Sequence, residues 1–194
     1  MSITREQWLN KASRELGTRL FGKAGYTLPE HRVSVGWPSK GGRAAKQKVI
    51  GQCWATKAAK DGIAQVFISP VLDDERVLDV LAHELAHAVD DCESGHKGEF
   101  VRIIRAIKLE GKPTSTEASA EFKEVAKAIF AKIGEYPHSP IDPNCIRIKK
   151  QGTRMLKVTC SEDGQYLVRM TRKWLDELGA PSCPCHGETM VEEI

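Results

Sequence analysis

The sequence predicts an α+β fold, a small sheet packed by helices, followed after a proline-rich break by a second and smaller β module. Three observations carry this. Apolar residues recur every three or four positions in several long segments, and between the first two of these, three short runs are apolar or alternate with period two. Pro137, Pro140 and Pro143 fall within seven residues and forbid a helix there. The chain has 194 residues, enough for one full-sized domain and an appendage, and its 41% hydrophobic and 28% charged residues exclude disordered and fibrous classes.

The elements follow in order. Residues 4–21 set Trp8, Leu9, Ala12, Leu16 and Leu20 at helical spacing with Thr4 as N-cap, predicting an amphipathic helix that packs on the sheet. Residues 31–35, 49–55 and 63–69 read as strands of an antiparallel or mixed sheet, with Gly41-Gly42 and Asp61-Gly62 at the turns. Pro70 ends the third strand. The acidic run Asp73-Asp74-Glu75 then opens a helix to about residue 90, whose Leu78, Leu81, Leu85 and Val89 share one core-facing side. Two more helices are expected, over 97–109 before Gly111 and Pro113, and over 116–133 before Gly134. The expected division is a catalytic-sized domain over 1–136, a connector over 137–144 and a module over 145–194. In the module, 153–159 and 166–170 form a hairpin and 171–178 a short helix, ahead of cysteines at 183 and 185.

Charge and targeting narrow the class. The stretch 62–72 carries no charge but is too short for a bilayer of about 30 Å, and MSITREQWLN offers no apolar signal region. A cytoplasmic protein with reduced cysteines and no membrane contact is expected. The net charge of +3 hides +9 over residues 1–60, −7 over 61–144 and +1 over 145–194. A basic N-terminal side is compatible with DNA phosphates and equally with a solvated lysine-rich surface.

The chemistry lies in His83-Glu84-Leu85-Ala86-His87. Histidines four apart on a helix stand one turn above each other and can share one ion at about 2.0–2.1 Å, while Glu84 is turned aside to meet metal-bound water. Chance would produce this pattern in roughly 1 to 2 of 100 chains of this composition. A catalytic zinc keeps three protein ligands. Six residues after His87 stands Glu93, so the metzincin spacing is excluded. His96 is favoured as third ligand because Gly95 allows the chain to reverse onto the zinc face; Glu110, Glu117 and Glu121 are the alternatives. Asp90 is a candidate to orient an imidazole. Tyr136 and His138 are weak candidates for an oxyanion partner.

HELAHAVDDCESGHKGEF resembles the SprT-like zinc metallopeptidases, related to the Spartan proteases. Val35-Gly36-Trp37-Pro38-Ser39, Ile50-Gly51-Gln52-Cys53-Trp54, Phe67-Ile68-Ser69-Pro70, Arg172-Lys173-Trp174-Leu175 and Cys183-Pro184-Cys185 extend the similarity, toward phage- and prophage-borne members, over about residues 30–190. The resemblance implies a minimal zincin fold, zinc at His83, His87 and His96, Glu84 as acid/base, and action on proteins near DNA. It also implies a C-terminal zinc ribbon. Cys160, Cys183 and Cys185 are kept, but Asp163 stands where a fourth cysteine is expected; Asp163, His186 or Cys145 could complete a second, structural zinc site, or packing of Leu156, Val158, Val168 and Trp174 could replace it. Lys149, Lys150, Arg154 and Lys157 form a basic stripe suited to nucleic acid phosphates and equally to a solvated hairpin face. Cys53 and Cys92 read as small hydrophobes. The rival to a zinc endopeptidase is a non-proteolytic, DNA-binding or transcription-associated metal protein.

Overall fold

The computed structural model describes residues 3–39, 49–142, 145 and 155–193. The architecture is mixed α+β, in two compact units, Met1–Pro143 and Asn144–Ile194. Lys149, Lys150, Arg154 and the Gly41-Gly42 turn lie outside the described residues.

In the first unit, helix α1 (Arg5–Leu16) starts at a reciprocal cap, Thr4 accepting from the Gln7 backbone and Gln7 from that of Thr4. The expected continuation to residue 21 is a π-helical turn, Gly17–Phe21, closed by a 3-10 turn at Gly22–Ala24. Strands β1 (His31–Val35), β2 (Gly51–Trp54) and β3 (Ala64–Ile68) form one mixed sheet in the order β1-β3-β2. β1 runs parallel to β3, β2 antiparallel to it, with Cys53 opposite Val66. Helix α2 (Val77–Val89) follows, beginning four residues later than the acidic run suggests. Not only Leu78, Leu81 and Leu85 but also Val77, Val80, Ala82 and Ala86 are buried, so α2 runs through the core rather than over it.

Helix α3 (Gly98–Ala106) is shorter than expected, and residues 116–118 are not helical. Lys108 turns in the left-handed region (φ 68°), and the chain forms a hairpin, β4 (Leu109–Lys112) against β5 (Ser115–Ala118), before Ser119 caps helix α4 (Ala120–Ile133). Four-residue strands with one buried side chain each leave no readable period, which is why the segment passed for helix. Trp8 donates to the Gly134 carbonyl at 2.9 Å and packs on Phe130 and Tyr136, joining α1 to the end of α4. Residues 137–142 carry no helix or strand, and Ile141 and His138 both bond the Pro70 carbonyl.

In the second unit, β6 (Leu156–Thr159) pairs with β7 (Leu167–Met170) and β8 (Val191–Glu192), and α5 (Arg172–Leu178) is capped by Thr171. Its core is Val158, Cys160, Cys183 and Met190. Trp174, a candidate for packing in place of zinc, is 49% exposed with the Lys173 ammonium 5.1 Å from its ring centre.

The exit from α2 is strained. Asp91 (φ 46°) and Cys92 (φ 59°) are consecutive non-glycine residues in the left-handed region, where the backbone closes the helix by Cys92 N–H to the His87 carbonyl at 2.8 Å. Asp91 is held there by two bonds from Thr56, backbone at 2.7 Å and hydroxyl at 2.9 Å. Asp91→Ala loses the clamp and keeps the conformational cost of about 1 kcal/mol, whereas Asp91→Gly loses only the clamp. Both should be less stable than the parent, with Asp91→Ala about 1 kcal/mol below Asp91→Gly; urea unfolding of the three proteins checks the order.

Candidate functional site

α2 carries His83 and His87 one turn apart, and the loop after its strained exit returns His96 to them. Asp90 shapes that return: its carboxylate accepts from the Ser94 backbone at 2.7 Å and hydroxyl at 2.8 Å, so it tethers the loop and does not orient an imidazole. Gly95 (φ 58°) and Gly98 (φ 48°) make the reversal. Phe100, fully buried on α3, lies under all three rings, stacked on His87 at 4.0 Å and edge-on to His83 at 5.1 Å and His96 at 5.2 Å.

One ligand atom from each of His83, His87 and His96 lies within 4.8 Å of the others, and His87 Nε2 and His96 Nε2 are 3.3 Å apart. Two nitrogens bound to one tetrahedral ion at about 2.0–2.1 Å stand about 3.3–3.4 Å apart, so the spacing fits an ion. A hydrogen bond between imidazoles would span the same distance; the convergence of a third ring is what distinguishes a metal site. His83 Nδ1 meets the Thr116 hydroxyl at 2.9 Å, leaving Nε2 for the shared centre. Thr116 comes from β5, the hairpin absent from the sequence expectation. Glu110 and Glu117 are exposed on that hairpin, and Glu121, on α4, pairs with Lys108, so none of the three joins the histidines.

Glu84 is 6% exposed and faces the same cleft of about 750 Å³ without joining the triad. It accepts the Cys53 backbone N–H and lies against Gly51, where a Cβ would come within 2.8 Å of its Cγ and 2.9 Å of its Cδ. Gly51 is therefore part of the site through what it lacks. Arg76 also lines the cleft, held by the buried Asp79 at 3.0 Å and the Thr116 carbonyl at 3.3 Å. Burial pushes Asp79 up to about 6 despite the opposing pull of Arg76. Tyr136 packs on Trp8, and His138 bonds Pro70 and Arg5; neither lines the cleft.

Burial sets the protonation. It lowers His83 to about 3, with help from His87 and His96, and His87 to about 4, with help from His96; His96 is lowered too. The imidazoles are thus neutral at neutral pH, the form that binds metal. Burial raises Glu84 to about 8, the nearby Cys92 adding to it and the Cys53 N–H opposing it.

The second unit holds a matching pair of turns. Cys160-Ser161-Glu162-Asp163-Gly164 and Cys183-Pro184-Cys185-His186-Gly187 each bond the glycine N–H to the first cysteine's carbonyl, at 3.0 and 2.7 Å, with the glycine left-handed. In each, backbone N–H groups two and three residues on approach the cysteine sulfur, from Glu162 and Asp163 to Cys160 and from Cys185 and His186 to Cys183. Burial raises the Cys183 thiol, but these donors outweigh it and bring it to about 7. Asp163 and His186 therefore hold equivalent positions. Cys160, Cys183 and His186 bring one ligand atom each within 4.8 Å, with Cys160 Sγ 3.3 Å and Cys183 Sγ 3.9 Å from His186 Nδ1, and Asp163 3.9 Å from His186 Nε2. Cys185 and Cys145 are exposed. His186, and not Cys185, falls in the group, and the repeated Cys-x-x-X-Gly spacing was its signal in the sequence. Lys157, from the basic stripe, pairs with Glu193.

No family model matches the chain, and neither a curated protein nor a solved structure does. No helix among the described residues is long and apolar enough to cross a membrane.

The pH dependence of the metal-free chain follows. The folded pKa values of His83 and His87 lie below their unfolded value near 6.5, so from there down to about 4 the unfolded state takes up protons and stability falls with pH. Glu84 has a folded value above its unfolded 4.5, so between 4.5 and 8 it gains stability as pH falls and opposes them. Glu84→Gln removes that opposition and should steepen the acid loss between pH 4.5 and 6.5 by about one proton, roughly 1.4 kcal/mol per pH unit. Denaturant unfolding across this range in chelator checks it.

Proposed function

We propose that this chain is a zinc-dependent endopeptidase of the SprT-like, minimal zincin kind, related to the Spartan proteases, with a zinc-ribbon-derived C-terminal unit. The observation that carries the reading is the convergence of three neutral histidines beside one buried carboxylate that stays outside their group. A purely structural metal site has no use for such a carboxylate. Zinc held by His83, His87 and His96 would polarise the scissile carbonyl and acidify a water. Glu84 takes the water proton and returns it to the leaving amine. Its raised affinity for a proton suits that shuttle, and a cation in the histidine site would draw it back down toward neutrality. Thr116 holds the His83 ring in orientation, and the Cys53 N–H holds Glu84. β2 ends the sheet order among the described strands and lines the cleft with Gly51, Gln52 and Cys53. A strand at the end of the sheet order and beside the cleft suits an extended peptide, which favours a protein substrate over a small ligand. Action on DNA-associated proteins, in a cytoplasmic setting, extends the same proposal and rests on the resemblance.

Glu84→Gln should keep zinc and fold and lose casein hydrolysis by about 10²- to 10⁴-fold. His96→Ala should lose zinc affinity, and Gly51→Ala should slow hydrolysis at unchanged zinc content by displacing Glu84. Zinc content, thermal unfolding and hydrolysis measured together decide. Unchanged hydrolysis in Glu84→Gln sinks the mechanism; a zinc-loaded parent that cleaves nothing yet binds DNA in a salt-dependent way supports the non-proteolytic alternative.

The second unit, on this reading, holds a structural zinc through Cys160, Cys183 and His186 with Asp163 beside them. The full chain should then bind two zinc ions, His186→Ala should hold one, and Cys185→Ser should keep two. Metal analysis of the dialysed proteins checks the assignment.

A further inference from the structure

Cys53 and Cys92 are 39 positions apart and meet at the wall of the cleft. Cys92 Sγ lies 3.7 Å from the Cys53 carbonyl and Cys53 Sγ 3.8 Å from the Trp54 carbonyl, so both thiols sit against the same stretch of β2. Both are half-buried and both line the cleft, so a small solute that enters it reaches them. Cys53 is fixed by strand register opposite Val66, and Cys92 by the left-handed exit of α2, with Asp91 clamped to Thr56 one residue before it. Such a backbone is costly for a residue with a Cβ, and it brings the Cys92 sulfur to the backbone of Cys53. Neither belongs to the metal-ligating group of Cys160, Cys183 and His186.

We propose that Cys53 and Cys92 are a hydroperoxide-reactive pair that closes a disulfide, stapling β2 to the loop that carries His96, and that the staple slows the peptidase. One sulfur attacks the peroxide O–O bond, taking the nearer oxygen to become a sulfenic acid and releasing water or an alcohol. The second thiol attacks that sulfur and displaces water. Two thiols give two electrons and two hydrogens, the peroxide is reduced, and one S–S bond forms. The disulfide is independent of the peptidase reading, while its effect on turnover rests on it. That effect follows from position: Cys53 supplies the N–H that holds Glu84, and Cys92 lies four residues before His96. An S–S bond of about 2.05 Å is much shorter than contact between two thiols, so closure pulls both supports from where the reduced protein holds them.

The test treats the full-length protein with hydrogen peroxide, alkylates the remaining thiols, and maps peptides by mass spectrometry before and after dithiothreitol. The expected result is a loss of two hydrogens in one linked peptide pair containing Cys53 and Cys92, reversed by the reductant and absent in Cys53→Ser and Cys92→Ser. Casein hydrolysis should fall several-fold on oxidation of the parent, recover with reductant, and be the same before and after peroxide in Cys92→Ser. Two thiols that remain alkylatable, or that pass to sulfinic acid without linking, overturn the pair, and a linked protein with unchanged hydrolysis overturns the switch. A chain without peptidase activity would still show the linked peptide, which separates failure here from failure of the functional reading.

Discussion

Helix α2 is buried along most of its length, yet it carries Asp79, His83, Glu84 and His87 through the core. A polar group taken out of water without a partner costs several kcal/mol, so every neighbour of this helix is obliged to meet one. Arg76 meets Asp79, Thr116 meets His83, the Cys53 backbone meets Glu84, and His96 comes back to His87. The sheet edge, the hairpin and the return loop are arranged around these obligations. The leucines of α2 secure its place, and its polar residues decide what surrounds it.

The same constraint explains why strain collects at the helix exit. To bring His96 back within reach of His87 in nine residues, the chain must leave the helix and reverse at once. Asp91 and Cys92 accept left-handed backbone, Asp90 ties the loop through Ser94, and Phe100 props the three rings from below. Backbone strain of this sort persists only where surrounding contacts over-determine it, and here Thr56 supplies two of them. A preorganised triad needs little reorganisation to receive an ion.

The second unit uses the opposite economy. With a core of four buried residues and two cysteines among them, apolar burial contributes little, and two equivalent turns do the ordering. In each the backbone aims N–H groups at a sulfur and a left-handed glycine completes the turn. The turns share their first cysteine and closing glycine and differ between them, and at the position before the glycine an acidic oxygen, Asp163, stands in the first where an imidazole, His186, stands in the second.

What the amino-acid order determined by itself was local. The four-residue separation of His83 and His87 places both on one helix face whatever surrounds it, Thr4 announces a helix start, and Pro137, Pro140 and Pro143 forbid one. The Gly95-His96 reversal was legible because a glycine next to a candidate ligand is also local. Tertiary structure alone decided which distant groups meet that helix. Thr116 read as helix and belongs to a strand, because four-residue strands lack a readable period and the left-handed turn at Lys108 is not written in residue type. Cys53 and Cys92 read as two unrelated hydrophobes, and the Cys92 sulfur lies against the Cys53 carbonyl. Gly51 could not be seen as a site residue, since its role is the space it leaves for Glu84. Spacing along a helix follows from backbone geometry, whereas contact across the fold follows from the burial of polar groups that only the assembled core brings together.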